Sequence, residues 1–287
     1  MSASTGPIAV VVEPFFFDAP GGRVFAVHHR PSDSTRIRGN VLCVPPFNEE
    51  MNRCRSMMTL QAHALAALGF GTLVLDLHGT GDSEGEYRDA RWEIWLDDIR
   101  ATRRWLVMQP GGLSAIWGIR LGAVLAAQVH AELGESGIAL VFWQPVLDGN
   151  VHLTQFLRVR MAAQLDRPDL PKETTASLRQ QLAMGQAVEV AGYEIHPELA
   201  KAIDGARLIA NKLGNGSHVL WLENASQDHA EILPASKKAL PAWEAAGVAI
   251  DAGTYTGPAF WQVHERVTAP AIIERTSAWL SRKVLGQ

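Results

Sequence analysis

Short continuous apolar runs alternate along the chain with longer stretches whose apolar residues recur at helical spacing. Ile8 to Phe17 is rich in β-branched and aromatic side chains, Pro20-Gly21-Gly22 marks a turn, and Arg23 to His29 alternates. That pattern predicts a hairpin. Asn40 to Val44 is an apolar strand stopped by Pro45-Pro46, and a helix is predicted from about Arg53 to Leu68, closed by Gly69. Thr72 to Asp76 reads as the next buried strand and Trp92 to Val107 as an amphipathic helix. The run ending at Trp117 is a strand, a helix follows Arg120, and Ile138 to Trp143 is again a strand. Continuous apolar strands alternating with helices predict an α/β chain with a mostly parallel sheet flanked by helices on both faces.

The pattern changes after His152. From there to about Leu213 the chain shows helix-like stretches and no convincing strand, with breaks at Pro168, Pro171 and Gly185. Alternation resumes with His218 to Leu222, a helix around Pro234–Gly247, Val248 to Ile250, and a last helix around Ala269–Leu285. An all-helical insertion between two strands reads as a cap over the strand ends, where open sheets bind ligands. The expected organisation is a core from residues 1–149, a helical cap at 150–213, and the rest of the core at 214–287.

Composition narrows the function. A length of 287 residues with 47% hydrophobic and 20% charged suits one globular α/β domain with an insertion. The net charge of −4 offers no electrostatic reason to expect nucleic acid or an anionic membrane as partner. No stretch approaches the ~20 apolar residues of a membrane span, and nothing near Met1 resembles a signal peptide. Two cysteines, Cys43 and Cys54, suit a reducing compartment, and the expected location is cytoplasmic. No metal motif and no P-loop occurs, so neither metal nor cofactor is expected.

The chemistry centres on Trp117-Gly118-Ile119-Arg120-Leu121-Gly122, where an apolar strand turns through Gly-x-Arg-x-Gly into an Ala-rich helix. This is the layout of the nucleophile elbow of α/β-hydrolases, Gly-x-Ser-x-Gly, with Arg120 at the nucleophile position. A guanidinium is always charged and has no lone pair with which to attack. Arg120 therefore either binds an anion or forms one half of an internal ion pair, and its place at a helix N-terminus favours nearby negative charge. Pro45-Pro46-Phe47-Asn48-Glu49-Glu50 follows the third strand, where the fold places one oxyanion-hole N–H. Phe47 or Asn48 would supply one donor and Leu121 the other, with Glu49 or Glu50 within reach of Arg120. Such a glutamate would either leave Arg120 free for ligand or neutralise it in a bidentate pair.

Three further stretches bear on catalysis. Asp76 to Gly85 contains Gly79-Thr80-Gly81, but its third glycine is late for a dinucleotide fingerprint; it reads better as a structural turn fixed by Asp82 and Ser83 side chains. Asp228 follows the strand near Leu222 at about the distance of a triad acid. The triad histidine is expected near Ala259 or Phe260, and His264 lies a few residues beyond. Cys54, near a helix start, is a candidate substitute nucleophile or a buried apolar residue.

Pro45-Pro46-Phe47-Asn48-Glu49-Glu50-Met51-Asn52, Trp117 to Gly122, Trp143-Gln144-Pro145-Val146, Gly192-Tyr193-Glu194-Ile195 and Phe260-Trp261-Gln262 together resemble the exosortase A system-associated hydrolase 2 family. That resemblance implies an α/β-hydrolase fold with a hydrolase label and association with exopolysaccharide and protein-sorting loci. It implies no particular substrate. Two functions follow as expectations. In the first, the chain hydrolyses an ester, thioester or related acyl bond of a small or lipid-linked metabolite. Arg120 would hold an anionic group, while His264 and Asp228 activate water. In the second, a catalytically degenerate hydrolase fold binds an anionic ligand or a protein partner under its cap.

Overall fold

The computed structural model describes residues 9–134, 137–164, 173–226 and 231–285. The chain opens with β1 (Val10–Ala19) and β2 (Gly22–Pro31), an antiparallel hairpin turning at Pro20-Gly21. Then come β3 (Gly39–Val44), α1 (Glu49–Ala67), β4 (Phe70–Leu75), α2 (Trp92–Val107), β5 (Leu113–Ile119), α3 (Gly122–Leu133) and β6 (Ala139–Trp143). After an excursion described below, the core resumes with β9 (His218–Ala225), α7 (Pro234–Ala239), α8 (Pro241–Ala245), β10 (Ala249–Thr256) and α9 (Pro270–Leu285). These strands form one eight-stranded sheet in the order β1-β2-β4-β3-β5-β6-β9-β10. From β4 to β10 every neighbouring pair is parallel; β1 and β2 join antiparallel at one edge.

The sheet's pleat separates two cores. Leu42 and Val44 of β3, Ile116 of β5, and Leu140 and Phe142 of β6 join a cluster that includes Leu96 and Ile99 of α2 and Val124 of α3. Their alternates Val41, Cys43, Trp117, Val141 and Trp143 join Met57 and Met58 of α1 and Ile272 and Trp279 of α9. A period of two across one strand thus feeds both faces, which is why these strands are apolar throughout.

Several boundaries differ from the pattern-based reading. The helix expected from about Arg53 begins at Glu49, because Asn48 turns the chain at φ 52° and sets both glutamates in the first turn. Acidic side chains there complement the helix dipole. The helix expected around Pro234–Gly247 is two short helices, divided at Pro241, which cannot continue the first and opens the second. β9 and β10 pair over their full lengths, so each runs beyond its apolar segment.

The excursion falls where a cap was expected. It contains α4 (Gly149–Gln164), α5 (Thr175–Ala183), β7 (Val188–Val190), β8 (Tyr193–Ile195) and α6 (Pro197–Gly205). The region read as lacking strands therefore holds a small hairpin. Three-residue strands are too short to show a period, and Ala191-Gly192 forms the two-residue turn with both φ angles positive. The cap meets the core through Phe47, whose ring lies 5.0 Å from Phe156, and through Tyr87, 5.1 Å from Tyr193.

The elbow glycines are dictated by contact. A Cβ on Gly118 would lie 2.5 Å from Ala123 Cα, and one on Gly122 would lie 2.4 Å from the Pro45 carbonyl oxygen. Both obstacles are backbone, so relief requires moving α3 away from β5 in the first case and away from the end of β3 in the second. Gly122→Ala is expected to cost ~1–3 kcal/mol, the range for overpacking a filled interior. Urea unfolding of the variant measures it, and an unchanged midpoint would show that the approach of α3 to β3 is looser than this.

Candidate functional site

The ends of β3, β5 and β6 converge where the cap closes over the sheet. Four non-glycine residues among those described have positive φ: Asn48 at 52°, Arg120 at 54°, Gln144 at 43° and Ala191 at 51°. Ala191 is accounted for by its hairpin turn. The other three each lie just past the C-terminal end of one of three adjacent parallel strands. Such conformations cost of order 1 kcal/mol or more and gather at functional sites.

Arg120 is tied down on several sides. Its Nε donates to Glu50 Oε1 at 3.0 Å, its Nη2 lies 3.0 Å from the same oxygen, and its Nη1 donates to the Gln144 carbonyl at 3.2 Å. The guanidinium sits 5.5 Å from the centre of the Trp261 ring. The two side chains keep only 12% and 18% of their exposure, which makes this a largely desolvated pair. Of the two glutamates expected near Arg120, Glu50 makes the contact. Glu49 instead lies 3.9 Å from Arg53, one helical turn on.

Two cavities lie at these strand ends. One, of about 390 Å³, is lined by Arg120, Glu50, Glu49 and Arg53 on the core side and by His152, Gln155, Phe156 and Val159 of α4 above. Residues 152, 155, 156 and 159 fall on one helix face, so α4 serves as its roof. The second, of about 10 Å³, lies among Pro45, Phe47, Asn48, Leu121 and Gly122, where the oxyanion donors were expected. That is space for about one water, not for a substrate carbonyl. Phe47 and Asn48 line both cavities, whereas Leu121 borders only the smaller one.

Of the other expected members of a catalytic set, His264 is held at Arg53, which lines the larger cavity. His264 is exposed, and its Nε2 lies 3.3 Å from Arg53 Nη2. A guanidinium only donates, so that ring nitrogen is the acceptor. Arg53 also donates to the Gln262 carbonyl at 3.1 Å. Asp228 lies outside the described residues. The buried carboxylate at the end of β9 is Glu223, which accepts from Trp221 Nε1 (2.9 Å), the Leu233 N–H (2.6 Å) and Ser236 Oγ (2.5 Å). These bonds staple α7 to the sheet. Where the triad histidine was expected stand Ala259 and Phe260, the latter buried with its ring 5.9 Å from that of Trp143. Cys54 is fully buried, and burial pushes its thiol well above the ordinary range, so it does not supply a thiolate nucleophile. The loop after β4 is a structural turn in which Ser83 accepts from the Phe25 N–H and donates to the Asp76 carbonyl. Its organising carboxylate is Asp76 rather than Asp82, since Asp76 takes the Asp82 N–H and pairs with Arg55 at 2.9 Å.

Two residues to which the sequence assigned no role complete the site. Trp261 supplies the aromatic face beside Arg120. His152 is nearly fully buried under the cap, and neither ring nitrogen has a hydrogen-bond partner. Desolvation drives its pKa down to about 4, with Glu50 opposing that shift and Arg120 adding to it. The ring is therefore neutral. A lone histidine opening the 152/155/156/159 face of a cap helix is the sequence signal that could have found it.

No family model matches the chain, and no curated protein does either. Among solved structures, Est1E from Butyrivibrio proteoclasticus is similar at a TM-score of 0.63 and 14% identity, over 95% of this chain and 99% of Est1E. A highly thermostable carboxyl esterase from Bacillus coagulans gives 0.60 and 13%, over 96% and 100%. EstE7, from a metagenome library, gives 0.58 and 16%, over 97% and 88%. The fold is that of the α/β-hydrolases. At this identity the likeness carries the fold and not the chemistry. Among the described residues no helix is long and apolar enough to cross a membrane, and no group of three or more His, Cys, Asp or Glu is placed to hold a metal ion.

Proposed function

We propose that this protein of α/β-hydrolase fold binds a small molecule in the cavity between the strand ends and the cap, without the serine route of acyl transfer. The observation that carries this reading is the closed state of Arg120: the elbow side chain is bonded to Glu50 and the Gln144 carbonyl, and no nucleophile stands in its place. The cavity's size lies within the usual range for small-molecule sites, and its walls mix aromatic and polar groups. Est1E has been solved with ferulic acid bound, which supports a small molecule rather than a polymer as the occupant. The resemblance around Pro45 to Asn52 and Trp117 to Gly122 supports placement beside the exosortase-associated hydrolases. Two separate buried thiols support a reducing, cytoplasmic setting.

A second reading keeps hydrolysis. Glu50 Oε2 and both nitrogens of His152 are buried without partners beside the same cavity, a setting in which an enclosed water could be activated toward an ester or thioester. Assays with p-nitrophenyl acetate, p-nitrophenyl butyrate and an acyl thioester separate the two. Neither the wild type nor Arg120→Ser is expected to exceed the buffer rate, because His152, the histidine in this cavity, has no partner on either nitrogen to orient it toward a serine. Wild-type turnover that His152→Gln abolishes would establish the hydrolytic reading instead.

A further inference from the structure

The expectation of an anionic ligand rested on Arg120 being an unopposed cation. The structure removes that premise. Arg120 is 3.0 Å from Glu50 and Arg53 is 3.9 Å from Glu49, so the four charged groups lining the cavity sum to zero. His152 adds no charge, since burial keeps its ring neutral. A carboxylate or phosphate brought against Arg120 would meet Glu50 on the same guanidinium, and like charges held close in a desolvated site repel.

What the cavity lacks is hydrogen-bond partners. Glu50 Oε2 and both nitrogens of His152 are buried and unpartnered. The Tyr87 hydroxyl lies close enough to hydrogen-bond the Asn48 amide, which engages one of its two polar atoms and leaves the other buried without a partner. Buried polar atoms are rarely left unpaired, and these are shielded from bulk solvent, so their partners must come from something held inside. Glu50 Oε2 accepts only, neutral histidine donates once and accepts once, and the asparagine amide does both. The walls beside them are Phe47, Phe156, Val159 and Trp261.

Resting on the small-molecule reading above, we infer that the occupant is a neutral group carrying both N–H or O–H donors and an oxygen acceptor, a carboxamide or hydroxyl, on a flat apolar body. The head group donates to Glu50 Oε2 and exchanges hydrogen bonds with His152 and Asn48. The apolar body lies between Trp261 and the phenylalanines. Glu50 therefore has two jobs, neutralising Arg120 with one oxygen and rejecting anions with the other.

Matched probes differing only in charge test this. Acetamide and acetate, benzamide and benzoate, and ferulamide and ferulate are titrated calorimetrically into the full chain at about pH 7.5. In at least one pair the amide is expected to bind roughly tenfold or more tighter than the acid, the scale of one hydrogen bond to a charged group. Glu50→Gln keeps an acceptor for Arg120 but removes the negative charge, and it is expected to reverse the preference toward the acid. His152→Phe, with its fold checked by circular dichroism, is expected to weaken the amide by roughly tenfold. Tighter binding of the acids to the wild type would overturn the neutral-ligand inference and leave the small-molecule reading standing. Failure of every probe with both the wild type and Glu50→Gln would overturn both.

Discussion

Replacing Arg120 with methionine is expected to lower the unfolding free energy by ~2–3 kcal/mol, and adding Glu50→Gln to that variant is expected to recover most of the loss. Methionine keeps much of the apolar stem that packs toward Trp261 but leaves Glu50 desolvated with no cation. Removing one partner of a buried pair is costly because the other charge stays behind, whereas removing both can be nearly neutral. The pair here is not wholly buried, with side-chain exposures of 12% and 18%, so the expected loss lies below that of a fully enclosed pair. Part of the loss will not return, since the hydrogen bond to the Gln144 carbonyl and the contact with Trp261 go with the guanidinium. Urea unfolding of the wild type, both single variants and the double variant gives the coupling energy. Additive losses would mean that Glu50 does not neutralise Arg120, and the charge balance of the cavity would then have to be redrawn.

The strand–helix alternation was readable because the strands are buried on both faces. Val41 and Cys43 enter one core while Leu42 and Val44 enter the other, so no polar position interrupts the run. The elbow was readable because Gly118 and Gly122 answer to local contacts between β3, β5 and α3, which a sequence records directly. Arg120's pairing was half readable. Proximity to Glu49 or Glu50 followed from the order of strands, but the choice between them depended on where α1 begins. That start is set by the positive φ of Asn48, and its cue is the run Asn48-Glu49-Glu50, an asparagine before the helix and acids in its first turn, rather than the apolar spacing that points to Arg53.

His152 and Trp261 were hidden for a different reason. Their significance comes from what covers them, and burial under a cap is a tertiary fact. A triad would place its acid and histidine after β9 and β10, at Asp228 and His264. The structure shows Glu223 engaged in a structural staple, His264 turned to Arg53, and Phe260 packed into the core. Among the described residues, Phe260 stands where a catalytic histidine was expected, Arg120 ties β5 to α1 and β6, and Glu223 holds α7 to the end of β9. Fold-level analogy points to a place on the molecule, and the side chains there decide what that place does.

Asp98 on α2 should make the protein lose stability as pH rises from about 4 to about 7, and Asp98→Asn should abolish that loss. The carboxyl accepts the His78 N–H at 2.8 Å through one oxygen, and the other has no partner. Burial raises its pKa to about 7, the His78 hydrogen bond opposes that, and the neighbouring Asp97 adds to it. In the unfolded chain an aspartate titrates near 3.9. Between those values the folded protein binds the proton and the unfolded chain does not, so unfolding becomes easier with each step up in pH. Three units of separation at about 1.4 kcal/mol each set an upper scale of ~4 kcal/mol, complete by about pH 7 and constant above it. His152 and His29 work in the opposite direction, since burial lowers each to about 4. Unfolded histidines titrate near 6.5, so their burial weakens the fold as pH falls from about 6.5 toward 4. The total profile therefore mixes rising and falling contributions, and only the difference between wild type and Asp98→Asn isolates the carboxyl. Asparagine keeps an acceptor for His78 and cannot ionise. Urea unfolding of both proteins at several pH values should show the variant gaining on the wild type up to about pH 7 and no further. Parallel profiles would mean that Asp98 ionises at its ordinary pH in the folded chain, with solvent reaching it beneath the His78 loop.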